Sequence, residues 1–391
     1  MRFYFSEFSN YIHNKKDGEK LGFYIHFPFC YAKCPYCHFY SLSYEEGRKR
    51  IWIKTLEKEI QQAARAISDQ GMVDTLYFGG GTPSLVSPEE ITEIIACLKL
   101  NFNHELKEVT LECNPEAPAD WLKGWKEAGV TRLSLGLQSL DDKVLKILGR
   151  RHSAEAGWKL LEKAREAKFH SLNLDFMTGL PGETEATLET NLKAVREFKP
   201  QHVSVYLLEE IDSVPFRAVW EKNPVPEEKI VESFESYRAF LKELGYEHYE
   251  ISNYALSGFA CKHNLKYWLY QPFIGLGPSA ASHLGRVRWQ NISDLKKWRE
   301  AVEQGFWELE EFLVLDREQT LKEKIAFGLR LRAGLDWRQL RAEFSDLNLS
   351  PYEHKIGELV RDGQLRFINH RLCLPEENFL LSNAIISSLI F

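Results

Sequence analysis

Between residues 22 and 245 the sequence passes six times through one succession: a short run rich in β-branched and aromatic residues, then a longer run with helical spacing. "FYIHF" opens the series and is followed by a helical pattern from Glu45 to Ser68. "TLYFGGG" precedes "SPEEITEIIACLKLNF", where Ser87 sits as an N-cap. "EVTLECN" precedes "PADWLKGWKEAG", and "RLSLGLQS" precedes "DDKVLKILGR". "SLNLDFMTGL" and "HVSVYLL" complete the set, each with its own helix. A parallel return between strands needs a crossover long enough to hold a helix, so this alternation specifies a parallel sheet. Six units exceed a mononucleotide-binding half and fall short of a closed eightfold barrel. The expected fold is therefore α/β, with an open, partial barrel of six parallel units over 22–245.

The rest of the chain divides around that unit. Residues 1–21 read as an N-terminal lead. After 245 the rhythm breaks, and 246–312 reads as an irregular, aromatic-rich connecting segment. From 313 to 391, helical runs are followed by the hairpin-like "QLRFINHRLCLP", the pattern of a small winged-helix-like α+β domain. The last residues, "NFLLSNAIISSLIF", are interrupted by Ser382, Asn383, Ser387 and Ser388, and read as a docked helix. No stretch approaches the roughly 20 apolar residues that span a bilayer, and the N-terminus lacks the apolar core of a secretory signal. A net charge of −6 argues against nonspecific nucleic-acid binding. Seven cysteines, an odd number, without an export signal fit a reducing cytoplasm, where clustered thiols more often bind metal than pair.

Three of those cysteines, Cys30, Cys34 and Cys37, stand in C-x3-C-x2-C spacing just past the first strand. Ligands of parallel α/β sheets gather at the C-terminal strand ends. The "GGGTP" turn, Glu112, Gln138 and Asp175 all fall at such ends. Thiolates are soft ligands that select zinc, copper(I) or iron–sulfur clusters. Structural zinc takes four ligands, commonly two short pairs, and no second pair exists here. Zinc completed by His26 or His38 is the competing reading. Three thiolates on a cubane leave one iron open for another ligand. Lacking Cβ atoms, the glycine turn lets backbone approach a ligand closely, although a tight strand-to-helix turn explains a glycine triplet equally well.

C-x3-C-x2-C with Tyr36 before the last cysteine resembles the motif of the radical S-adenosylmethionine superfamily. "YIHFPFCYAKCPYCHFYS", "FGGGTPSLV", "ECNPE", "RLSLGLQS", "LGRRH", "NLDFMTGLPGET" and "CKHNLKYW" occur in order, and together resemble the HemW family of heme chaperones. That family is related to HemN, the oxygen-independent coproporphyrinogen III oxidase. The resemblance implies a [4Fe–4S] cluster on Cys30, Cys34 and Cys37, whose open iron chelates the methionine moiety. Electron transfer would then cleave the sulfonium and give a 5′-deoxyadenosyl radical. It further implies a pocket for S-adenosylmethionine lined by Tyr24, Tyr36, Gly80, Gly81, Thr82, Glu112, Gln138, Arg150 and Asp175. A carboxylate suits ribose hydroxyls, and an arginine fork suits the methionine carboxylate. Taken singly, each is equally an ordinary strand-end polar residue.

Two features point to the chaperone branch. The oxidase carries another cysteine two residues after the third ligand, where this chain has Phe39. The chaperone carries H-N-x-x-Y-W, present as His263, Asn264, Tyr267 and Trp268, with Cys261 just before it. The resemblance makes His263 or Cys261 the heme ligand, with Tyr267 and Trp268 against the macrocycle; the alternative is a satisfied histidine in an aromatic mini-core. Relatives often have a histidine where this chain has Ala281. The implied function is binding heme and delivering it to acceptor proteins, with an electron donor for the cluster. The competing reading is a coproporphyrinogen oxidase-like enzyme, and a third is a metal-stabilised regulator with a DNA-binding winged helix. The sequence names no catalytic residue. Nucleic acid is not an expected partner, while a peripheral membrane contact and a homodimer stay open.

Overall fold

A computed structural model of the protein describes residues 1–4, 20–67, 71–208 and 215–391. Most of the expected N-terminal lead and the expected helix end at Ser68 lie outside the described residues. The first strands are β1 (Arg2–Tyr4), β2 (Leu21–Phe27), β3 (Phe29–Cys30) and β4 (Leu42–Ser43). The series continues with β5 (Val73–Gly80), β6 (His104–Cys113), β7 (Arg132–Gln138), β8 (Ser171–Thr178) and β9 (His202–Leu207). Strands β2 and β5 to β9 lie side by side in chain order, each neighbouring pair parallel. This is the expected six-unit partial barrel.

Side chains alternate across each strand. On β5, Leu76 and Phe78 join the apolar core beneath the crossover helices, with Ile91 and Ile94 of the helix Pro88–Asn101. Thr75, Tyr77 and Gly79 face the barrel interior. Ser87 closes a capping box with Glu90 at the start of that helix, as its sequence position predicts.

The segment 246–312 is not irregular. It forms β10 (Glu247–Glu250), β11 (Asn253–Ala255), β12 (Phe273–Leu276), β13 (Ala281–Leu284), β14 (Val287–Asn291) and β15 (Phe306–Val314). β11 and β10 extend the sheet antiparallel beyond β9. β12 lies parallel to β2, and β13, β14, β15 and β1 continue antiparallel on that side. Several of these strands are only three to five residues long, and the strands they join, β9 and β2, are remote in sequence. Their pattern alone is therefore weak. One core runs continuously from Leu21 to Leu309.

A second core, from Leu321 to Leu389, belongs to the C-terminal unit. That unit holds the helices Arg317–Gly328, Trp337–Glu343, Ser350–Arg361 and Ser382–Ile390, with β16 (Leu335–Asp336), β17 (Arg366–Ile368) and β18 (Arg371–Cys373) in the order β16-β18-β17. The last helix docks through Ile385, Ile386 and Leu389. Among the described residues no helix is long and apolar enough to cross a membrane.

Candidate functional site

The cysteine loop leaves β3 across the C-terminal mouth of the barrel. Cys30, Cys34 and Cys37 are free and half-buried, and the Cys37 amide donates to the Cys34 carbonyl at 3.0 Å. Tyr36 and the Pro35 carbonyl anchor the loop: the Tyr36 ring meets Phe216 edge-on at 6.3 Å, and the Phe216 amide donates to Pro35 at 3.1 Å. Two donors reach the sulfurs. The Thr82 hydroxyl donates to Cys30 Sγ at 3.3 Å, and Arg150 Nη1 donates to Cys34 Sγ at 3.7 Å. Burial pushes the Cys30 and Cys37 thiols up, and the Thr82 hydroxyl draws Cys30 back down.

The glycine turn crosses directly under this loop. Gly81 and Thr82 amides donate to the Phe27 and Phe29 carbonyls at 2.7 and 2.9 Å. A Cβ on Gly79 would lie 2.9 Å from the Tyr24 ring and 3.2 Å from Glu112 Oε1. Gly80, with φ +108°, turns its peptide over the His26 ring, and its amide donates to Glu112. Tyr77 donates to Glu112 Oε1 at 2.9 Å. Burial, with Asp175 nearby, pushes Glu112 up to about 7 against the pull of the Tyr77 hydroxyl. Asp175 accepts from Ser134 at 2.7 Å and from Asn173 at 2.9 Å, and burial raises it too.

Arg150 links the two halves. Its Nη2 donates to Asn114 Oδ1 and to the Gly136 carbonyl, both at 2.9 Å, and Asn114 Nδ2 donates to Thr82 at 3.4 Å. Gln138 ends β7 at φ +56°, a left-handed backbone that a non-glycine residue adopts only under local constraint. Its Oε1 and Arg150 Nε are buried without a partner among the described residues. Tyr24, Tyr36, Gly80, Gly81, Thr82, Glu112, Gln138, Arg150 and Asp175 thus surround one mouth together with the three cysteines. Sequence reasoning missed Asn114 and Ser134. Asn114 lies in the quoted "ECNPE", at a strand end, and that position was its only signal.

The zinc reading does not fit this geometry. His26 spends Nδ1 on the Tyr24 hydroxyl (3.1 Å) and Nε2 on the Tyr40 carbonyl (2.9 Å), and His38 is exposed against Phe39. Among the described residues no three His, Cys, Asp or Glu side chains are grouped to hold one metal ion. A cubane instead spreads its ligands over separate corners.

The expected heme residues lie at the other end of the barrel. The helix Lys262–Trp268 closes the N-terminal floor, against Gly22 of β2 and Thr75 of β5. His263 has no exposure; its Nδ1 meets the Thr75 hydroxyl and its Nε2 the Tyr267 hydroxyl, both at 2.9 Å. Burial lowers its pKa to about 3. Cys261 donates to Glu108 Oε1 at 3.3 Å, and the His263 amide donates to the same oxygen at 3.0 Å. Arg132 pairs with Glu108 at 3.1 Å. Trp268 sits 6.2 Å from Phe327 of the C-terminal unit. In this structure both ring nitrogens of His263 and the Cys261 thiol have protein partners, and the motif ties the barrel floor together.

The sequence matches the radical SAM superfamily over residues 24–195 and the HemN C-terminal domain over 315–381. It is 30% identical to "Heme chaperone HemW" of Bacillus subtilis, over 94% of this chain and 98% of that protein. This chain belongs to the HemW family. The HemW protein of Mycobacterium tuberculosis H37Rv is 31% identical, with 95% of each chain covered. A bovine protein, "Radical S-adenosyl methionine domain-containing protein 1, mitochondrial", is 30% identical over 95% of this chain and 88% of its own. The solved structure of HemN, the Escherichia coli coproporphyrinogen III oxidase, shares the fold: TM-score 0.85 at 24% identity, with 98% of this chain and 92% of that one covered.

Proposed function

We propose that this protein is a heme chaperone, binding heme and handing it to acceptor proteins from a radical SAM scaffold in the cytoplasm. The observation that carries the reading is its likeness, end to end, to proteins named heme chaperone. Cys30, Cys34 and Cys37 would hold a [4Fe–4S] cluster, which when bound supplies an electron to the S-adenosylmethionine sulfonium. The donor set fits it: three free thiols, with a hydroxyl and a guanidinium already donating to two of the sulfurs.

Within the mouth, Glu112 and Asp175 suit ribose hydroxyls. The unpartnered Arg150 Nε and Gln138 Oε1 are the donor and acceptor left for a further polar ligand. Gly79 leaves the space that the ligand needs beside Tyr24. Thr82 and Arg150 also fix the loop, so ligand and cluster positions are held by the same side chains. The chaperone reading needs an electron donor only if S-adenosylmethionine is cleaved.

The oxidase reading is less favoured. A substrate held by several carboxylates calls for cations, yet the mouth presents Glu112 and Asp175. Arg132, deeper in the barrel, is committed to Glu108, and Arg150, bonded to Asn114, Gly136 and Cys34, keeps only its Nε free. Anaerobic reconstitution with iron and sulfide quantification, followed by hemin titration, tests the proposal. Decarboxylated product from coproporphyrinogen III and S-adenosylmethionine would overturn it in favour of the enzyme.

A further inference from the structure

The small sheet of the C-terminal unit leaves one strand open. In the order β16-β18-β17, β17 lies outermost, and its three residues, Arg366, Phe367 and Ile368, are all exposed. β17 and β18 are joined by Asn369 and His370, both at positive φ, the conformation of a tight two-residue hairpin. Such a turn is closed by a hydrogen bond from the Arg371 amide to the Ile368 carbonyl. The pattern alternates along an antiparallel pair, so Phe367 turns its own N–H and C=O away from β18, toward the open edge. An unpaired edge offers main-chain hydrogen bonds to another extended segment.

Beside that edge the apolar face of the sheet outruns its cover. Phe367 stands opposite Leu372, which lies wholly in the core, so the two side chains share one face. Phe367 is nevertheless 48% exposed. Next to it is a groove of about 530 Å³ between the hairpin and the helix Trp337–Glu343, lined by Trp337, Arg338, Arg341, Ala342, Phe367 and His370. The Trp337 amide donates to the His370 carbonyl at 3.3 Å and fixes the two walls together. None of the lining residues belongs to the barrel mouth or to the floor helix.

The rim is cationic and poorly neutralised. Among the described residues Arg338 has no hydrogen bond or ion-pair partner. Arg341 has an exposed pair with Glu353 at 3.0 Å, and Arg366 approaches Glu377 at 3.9 Å. Exposed pairs of this kind contribute little and exchange readily. Arg371 donates to the Ala333 and Gly334 carbonyls, both at 2.6 Å, which are neutral. Asp336 is spent on the helix cap, accepting from the Gln339 amide at 2.9 Å. We propose that this face binds an extended acidic segment of a partner protein. The segment adds as a strand beside β17, drops an apolar side chain into the groove over Phe367 and Trp337, and sets flanking carboxylates against Arg338 and Arg341. Guanidiniums pair well with carboxylates, and strand addition takes its affinity from the main chain and its selectivity from pockets for alternate side chains. Duplex nucleic acid fits less well. It leaves Phe367 and Trp337 unused, and the neighbouring helix Ser350–Arg361 ties Lys355 and His354 to Glu358.

The test is selection of a random heptapeptide library on the immobilised full chain. The selected peptide is then titrated against the wild type, Phe367→Ser and the double variant Arg338→Glu/Arg341→Glu. Selected sequences should carry Asp or Glu on both sides of an aliphatic or aromatic residue, and their affinity should fall as salt is raised. Each variant should weaken the peptide at least about tenfold. All three side chains are exposed, so the thermal midpoint should not move. The same peptide N-methylated throughout, with no N–H to offer an edge, should not bind. Undiminished binding to either variant, or of the N-methylated peptide, overturns the proposal. So does a wild type that enriches no acidic peptide, even if it binds duplex DNA or phosphatidylserine vesicles.

Discussion

Gly81→Ala is a demanding test of how the cluster loop is held. A Cβ there would stand 2.6 Å from the Phe29 carbonyl oxygen and 2.9 Å from both the Phe27 carbonyl oxygen and the Phe29 amide nitrogen. These are backbone atoms and cannot swing aside as a side-chain tip can. The two carbonyl oxygens, of Phe27 and Phe29, also accept the Gly81 and Thr82 amides at 2.7 and 2.9 Å, so relieving the overlap stretches both hydrogen bonds. Forcing extra volume into a packed site costs about 1–3 kcal/mol. Each weakened hydrogen bond adds up to about 1 kcal/mol, so the expected loss is about 3 kcal/mol. Thr82 and Cys30 shift with the turn, and the 3.3 Å contact between them opens. Urea unfolding of the apoprotein measures the first effect, and iron per chain after anaerobic reconstitution measures the second. Gly47→Ala is the control: nothing lies within 4 Å of its Cβ position, so it should be neutral or stabilising by about 0.5 kcal/mol. A Gly81→Ala protein with the wild-type urea midpoint and full iron content would refute the reasoning.

Replacing Cys30, Cys34 or Cys37 with Ala should abolish the paramagnetic signal of the reduced cluster, while Cys97, Cys113 and Cys373 variants keep it; full iron in Cys34→Ala breaks the assignment. Glu59, wholly buried beside Gly277 and Asn291, is pushed up to about 7 by burial, so its proton stabilises the fold below pH 4.5 and that stabilisation is lost as pH rises through 7. The swing is about 3 kcal/mol. The stability gap between wild type and Glu59→Gln in urea should therefore change by that much between about pH 5 and about pH 8, and a gap independent of pH contradicts it. His263→Ala should cost about 2–4 kcal/mol, because it leaves a cavity and strands the Thr75 and Tyr267 hydroxyls. Hemin titration of the folded fraction tests the heme role of His263: lost or changed binding is the expected outcome, and an unchanged spectrum would make the histidine structural.

Much of the fold and the mouth was legible because both follow from local regularities. Period-two strands spaced by helices leave few topologies, and strand ends gather in one place whatever the side chains are. Glu112, Gln138 and Asp175 could therefore be placed together from the alternation alone. Asn114 could not. Its importance comes from bridging Arg150 and Thr82, residues 36 positions ahead and 32 behind, and no spacing rule encodes such a bridge. The strands flanking the barrel were missed for a similar reason. β11 and β12 are short and find their partners, β9 and β2, across long sequence distances.

His263 shows the harder limit. A sequence displays which chemical groups a chain owns, but not which of them it has already used on itself. Glu108 explains the difference here. Burial works against its ionisation, yet Arg132, the amides of His263 and Lys262 and the Cys261 thiol hold it below the usual carboxylate range. An unpaired buried carboxylate would be costly, so the floor helix is drawn onto β6, and His263 is carried inside with both ring nitrogens engaged. What separates a structural imidazole from an available one is the state of its nitrogens, and that is settled by packing.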